Sequence, residues 1–276
     1  MLPEAGSQQI DQIFPMWRVV CDSEQGKILK GSERWERYKP AEMTEIGQWE
    51  EILGYDVNNL EHMRLTDCIA IAVVDSQNEA ILGSFSREEK SILRKAALTH
   101  DLAEAITGDI NYNFKTEDDE KKELQLMRSI LKQQIFEGKI DENEREQIIL
   151  ILKDKSTKLG ETFGVVESIG YFRTAMVAWK KSKLPEYQAS GVSENLAWIT
   201  NNVLIHQIPK LIEKSKKFVL VGKVLDFYED RIIDAFENMP PEIFDKYNPE
   251  EKEKNREKFE TARNAWDNYL ISKKEL

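Results

Sequence analysis

The chain has 276 residues, of which 50 are acidic and 39 basic, so its formal net charge is −11, and 41% of it is hydrophobic. That apolar share supports a sizeable core, whereas the negative balance argues against a partner with a long phosphate backbone, which needs a basic face. Cys21 and Cys68 are the only cysteines and form neither a disulfide framework nor a CxxC pair, which fits a reducing compartment. The first residues lack the basic start and apolar core of a signal peptide, and no apolar run approaches membrane-spanning length, so the expectation is a cytoplasmic protein without a membrane partner.

In chain order, Trp17–Asp22 and Lys27–Lys30 flank a Ser23–Gly26 turn and admit a short β-hairpin. Met43–Leu53 reads as a short helix ending at Gly54. Val57–Val74 reads as a helix with Leu65, Ile69 and Val73 on one face; His62 extends that face one turn earlier, offset by one residue. Ser86–Ile106 carries Ile92, Leu93, Ala96 and Ala97 at helical spacing, places His100 and Asp101 in its last turns, and is ended by Gly108. A charged helix over Glu117–Phe136 follows, and then one over Glu142–Lys153 that Asp141 can cap. Thr162–Lys181 has the spacing of a core helix, Val192–Ser215 is a helical stretch interrupted at Pro209, and Lys216–Asn238 carries Asp226 at the edge of an apolar stripe. Pro240–Pro241 stops that stretch. A last charged helix over Glu250–Leu276 bears Phe259, Ala262, Trp266 and Leu270 on one stripe, suited to packing on the outside of the domain or on a second subunit. The fold class is all-α.

The run Leu98–Ile110 sets a histidine beside an aspartate in an apolar helical frame and adds two further carboxylates, Glu104 and Asp109. Burying imidazole and carboxylate is costly unless each has a strong partner, and one divalent cation serves both. The chain has three histidines, His62, His100 and His206. His62 is the natural companion and Asp226 a candidate fourth ligand, whereas His206, without a nearby acidic pair, reads as a packed or capping residue. So small a count also disfavours a binuclear centre.

Glu61-His62, then His100-Asp101 with Glu104 and Thr107-Gly108-Asp109, then Lys223-Val-Leu-Asp226, stand in an order that resembles the HD-domain metal-dependent phosphohydrolases, closest to the bacterial 5'-deoxynucleotidase branch. The resemblance spans residues 55 to 240 and implies an HD-domain helical bundle over residues 41–240, with an N-terminal extension over 1–40 and a C-terminal helical extension over 241–276 packed on the domain. It implies a mononuclear site of His62, His100, Asp101 and Asp226 holding one divalent transition metal, for which Mn, Co, Fe, Ni or Zn suit the ligand types. Glu104, one turn after His100, and Asp109 would serve the reacting phosphate and its attacking water; Asp109 reads equally as a turn cap after Gly108. Arg34-Trp35 resembles the pair that shapes the sugar and base pocket in that branch, and reads otherwise as a helix start with a packed tryptophan. Lys223 is either a phosphate contact or a surface lysine. The expected activity is phosphate release from (deoxy)nucleoside 5'-monophosphates, the substrate a small nucleotide, and a homodimer is compatible with the apolar stripes. The rivals are a triphosphohydrolase acting on dNTPs at the same site, and a non-catalytic nucleotide-binding protein.

Overall fold

Caps and apolar spacing set the elements in the computed structural model, which describes residues 15–45, 47–54, 57–108 and 116–274. In chain order they are α1 (Met16–Asp22), α2 (Glu24–Leu29), α3 (Gln48–Leu53), α4 (Asn59–Ala80), α5 (Arg87–Thr99), α6 (Glu104–Thr107), α7 (Glu117–Ile130), α8 (Glu142–Lys153), α9 (Lys158–Ser182), α10 (Pro185–Ala189), α11 (Val192–Ser215), α12 (Val219–Phe227), α13 (Glu229–Asn238) and α14 (Pro249–Lys274). No strand forms among the described residues; the one isolated bridge joins Glu33 and Asn58. The fold is all-α, and none of the described helices is long and apolar enough to cross a membrane.

The structure corrects several expectations. The hairpin over Trp17–Lys30 does not form; α1 and α2 stand there instead. Met16, Trp17 and Val20 are buried on α1, and Ser23 caps α2 by accepting a bond from the Gly26 amide at 2.9 Å. A Cβ at Gly26 would lie 2.0 Å from the Val20 carbonyl oxygen, so the close turn between the helices requires glycine. The single helix expected over Ser86–Ile106 is divided. It stops at Thr99, and the Leu102 and Glu104 amides then bond three residues back, to Thr99 and Asp101 at 3.0 and 2.9 Å, the tighter pattern of a 3₁₀ turn. Gly108, at φ 74°, ends the following α6. Asp141 does cap α8, in a reciprocal box with Glu144. Pro209 lies inside an uninterrupted α11.

The chain forms two compact units, each assembled from separated stretches. The first comprises residues 1–34, 55–71 and 85–164, and the second 35–54, 72–84 and 165–276. The first unit buries Val20, Leu29, Met63, Ile69, Leu93, Ala96, Ala97, Leu98, Phe136, Ile148 and Phe163. Within the second, α11 packs along α14, on which Phe259, Ala262 and Trp266 are buried, Phe259 against the rings of Phe236 and Phe244. Trp179 donates its indole N–H to Asp234 at 2.6 Å, which satisfies a buried polar atom in that core.

Candidate metal centre

His62 and the His100-Asp101 pair are brought together by α4 and the end of α5, all within the first unit. Asn58 starts α4: its side-chain oxygen accepts bonds from the Leu60 and Glu61 amides at 3.1 and 3.2 Å. His62 therefore occupies the first turn, with its ring inward. At the other side, α5 begins in a capping box of Ser86 and Glu89 and reaches His100 as its C-cap.

The three side chains are nearly enclosed, at 5% exposed for His62, 6% for His100 and 12% for Asp101. Asp101 Oδ2 lies 3.1 Å from His100 Nε2 and 3.8 Å from His62 Nε2, and one ligand atom from each residue falls within 4.8 Å of the other two. Among the described residues this is the one group of histidine, cysteine and acidic side chains so placed. The His100 ring is oriented by its neighbours: Nδ1 lies 2.9 Å from the Ala97 carbonyl, which can only accept, so Nδ1 carries a proton, and Nε2 is turned toward Asp101. The ring also meets His62 and Phe163 edge to face, at 5.3 and 5.4 Å between centroids.

Electrostatics put both kinds of donor in their ligating form. Burial holds the His62 pKa well below the ordinary histidine value, and the Arg34 charge lowers it further against the opposing pull of Asp101. Burial pushes Asp101 upward, but His100, by charge and hydrogen bond, together with His62 and Arg34, outweighs it and keeps the carboxyl well below the usual range. At neutral pH the set therefore offers a neutral His62 imidazole and an ionised Asp101 carboxylate, forms that a divalent ion takes. The residues present fit a metal.

Arg34 is 8% exposed and is held beside this group by the stretch preceding α4. Asn58 donates to the Lys30 carbonyl at 2.9 Å, and Asn59 reaches Ser32 through its backbone N–H at 3.2 Å and its side chain at 2.9 Å. Trp35, the next residue, belongs to the second unit, adopts a left-handed φ of 66° and packs on Tyr38 and Tyr171 at 5.7 and 5.9 Å. Glu104 opens α6, its amide bonded to the Asp101 carbonyl, so it follows the ligands by one tight turn. Asp226 lies in the second unit, exposed on α12, where its carboxylate takes the Lys273 ammonium at 2.7 Å; Lys273 also meets Glu229 at 2.8 Å. Lys223 is exposed on the same helix. Asp109 lies outside the described residues.

The sequence did not single out Asp67 and Arg94, which form a buried bidentate pair between α4 and α5 at 2.8 and 2.8 Å. The available signal was a charge on each helix at a position that otherwise belongs to the apolar face.

Residues 57–158 match the family model described as HD domain. The match supports the HD-domain family for this segment and contains His62, His100, Asp101, Glu104 and Asp109; Arg34, Trp35, Lys223 and Asp226 fall outside it. No curated protein and no solved structure matches the chain.

Proposed function

We propose that this chain is a metal-dependent phosphohydrolase acting on nucleotides, and that it releases phosphate from (deoxy)nucleoside 5'-monophosphates as the 5'-deoxynucleotidase branch does. The observation that carries the reading is the enclosed His62, His100 and Asp101 set, converging within 4.8 Å inside the segment that matches an HD domain. These three residues would hold the ion; Asp226, the fourth ligand that the resemblance implies, is supported by the resemblance alone. A bound divalent metal supplies Lewis acidity for a phosphate oxygen and for water.

The chain's own groups do the rest. Arg34, buried beside the ligands, offers a permanent cation to the phosphate, an anion that the Asp101 carboxylate alone would repel. Glu104, one tight turn after Asp101, would orient the attacking water and pass its proton to the departing 5' oxygen as the phosphorus–oxygen ester bond breaks. The low Asp101 pKa keeps this ligand ionised throughout the physiological range.

The test is phosphate release from a panel of deoxy- and ribonucleoside mono- and triphosphates, using metal-stripped protein reloaded with Mn or Co. Inorganic phosphate from monophosphates, abolished in Asp101→Ala, is the expected result. Triphosphate released from dNTPs would move the protein to the rival activity, and no turnover by fully metal-loaded protein would overturn the enzymatic reading.

A further inference from the structure

The buried pair of Asp67 and Arg94 is an expensive feature. Asp67 is fully enclosed and Arg94 is 8% exposed, and removing two charges from water costs several kcal/mol per ion, so well-packed apolar residues in their place are often as stable. Burial does push the Asp67 pKa upward, while the hydrogen bonds and charge of Arg94 pull it back. What an apolar pair lacks is direction. The planar guanidinium holds both carboxylate oxygens, with Nε on Oδ1 and a terminal nitrogen on Oδ2, and fixes the relative orientation of the helices that carry them.

The placement of this pair in the chain matters. Asp67 stands five residues after His62 on α4, and Arg94 six residues before His100 on α5, which are displacements of about 7.5 and 9 Å along the respective helices. His62 meets His100 edge to face and Asp67 meets Arg94 through the fork, so α4 and α5 are joined at two levels along their axes, one chemical and one ionic. A slip of either helix that moved the histidines apart would also break the fork.

We propose that Asp67 and Arg94 are positioning residues, which lock α4 against α5 in the register at which His62, His100 and Asp101 converge on a metal ion. This inference rests on the metal reading given above. Neither residue belongs to the ligand group; partners bonded directly to a ligand contribute 10- to 100-fold to metal affinity, and the register lock acts at the lower end of that range.

The experiment is a Co²⁺ titration of the full chain by calorimetry, with the visible absorption of the bound ion and the Tm of the metal-free protein recorded alongside. It compares the wild type, the double variant Asp67→Leu/Arg94→Met, the single variant Arg94→Lys, and Phe136→Leu as a core substitution in the same unit. The double variant is expected to keep its Tm, to bind Co²⁺ at least tenfold more weakly and to show an altered absorption band. Phe136→Leu is expected to lower Tm and leave affinity within about twofold. Wild-type affinity and an unchanged band in the double variant would overturn the proposal. Should the double variant not fold, Arg94→Lys decides, because it keeps the charge and loses the fork: about fivefold weaker binding supports positioning, and wild-type affinity overturns it. A wild-type chain that takes up no Co²⁺ would overturn the metal reading itself, a result distinct from any of these.

Discussion

Glu104 and His206 illustrate how placement decides what a titratable side chain does. Glu104 stands one tight turn beyond Asp101 without being part of the ligand group. Glu104→Gln is therefore expected to leave metal affinity within about twofold while lowering phosphate release by at least 100-fold, the scale of losing a general acid–base group; calorimetry and a phosphate assay on the same preparation check both. His206, on α11, has its pKa lowered to about 4 by burial first and then by Lys258 and Lys210. The unfolded chain binds that proton near pH 6.5 and the folded chain refuses it, so this residue removes stability as pH falls from about 7 toward 4. The loss of Tm between about pH 7 and pH 5 should be smaller in His206→Gln than in the wild type. Residues of this kind differ in how far the sequence betrays them. A histidine next to an aspartate in an apolar run is rare enough to announce a site, whereas Asp67 and Arg94, 27 positions apart, each look like an ordinary charged residue on a helix, and only their meeting gives them meaning.

Local side-chain chemistry decides the helices near the centre. Ser86 both accepts from the Glu89 amide at 3.1 Å and has its own amide bonded by the Glu89 carboxylate at 2.8 Å, at the opposite end of α5 from His100. Ser86→Ala should cost about 1 kcal/mol in urea-induced unfolding, with the loss falling on the element that delivers His100. Gly26→Ala should cost more, about 1–3 kcal/mol for an overpacked contact, because the added Cβ meets a backbone oxygen that cannot move aside. The same residues explain where element reading from sequence succeeds. Asp141 and Glu144 spell a helix start outright. Over Trp17–Lys30, by contrast, valine and isoleucine suit strand and helix alike, and the choice is made by burial of Trp17 and Val20 and by the Ser23 cap, neither of which is visible as a period. The break after Thr99 was likewise hidden, since a 3₁₀ turn continues an apolar pattern nearly as well as an α-helix does.

At the scale of the molecule, neither unit is a continuous stretch of chain. Apolar stripes tell which faces are buried but not which other stripe covers them, so the helix with Phe259, Ala262 and Trp266 was legible as a buried face and its partner α11 was not. The three candidate metal ligands lie in the first unit, and an ion that binds only the folded state raises stability in proportion to the logarithm of its concentration. Adding Mn²⁺ or Co²⁺ at 100 times its Kd should stabilise the protein by about 2.7 kcal/mol, seen as a rise in Tm that a chelator reverses and that Asp101→Ala abolishes.

The division of the motif helix after Thr99 has an electrical consequence. The C-terminal end of α5 carries the partial negative charge of its aligned peptide dipoles, and the sequence places the ionised Asp101 just past that end. This pole favours a cation and disfavours an anion approaching along the helix axis. In the metal-free protein Arg34 is the cation that offsets this pole for an incoming phosphate, so nucleotide affinity, read by calorimetry, should rise when Co²⁺ is added and fall in Arg34→Met.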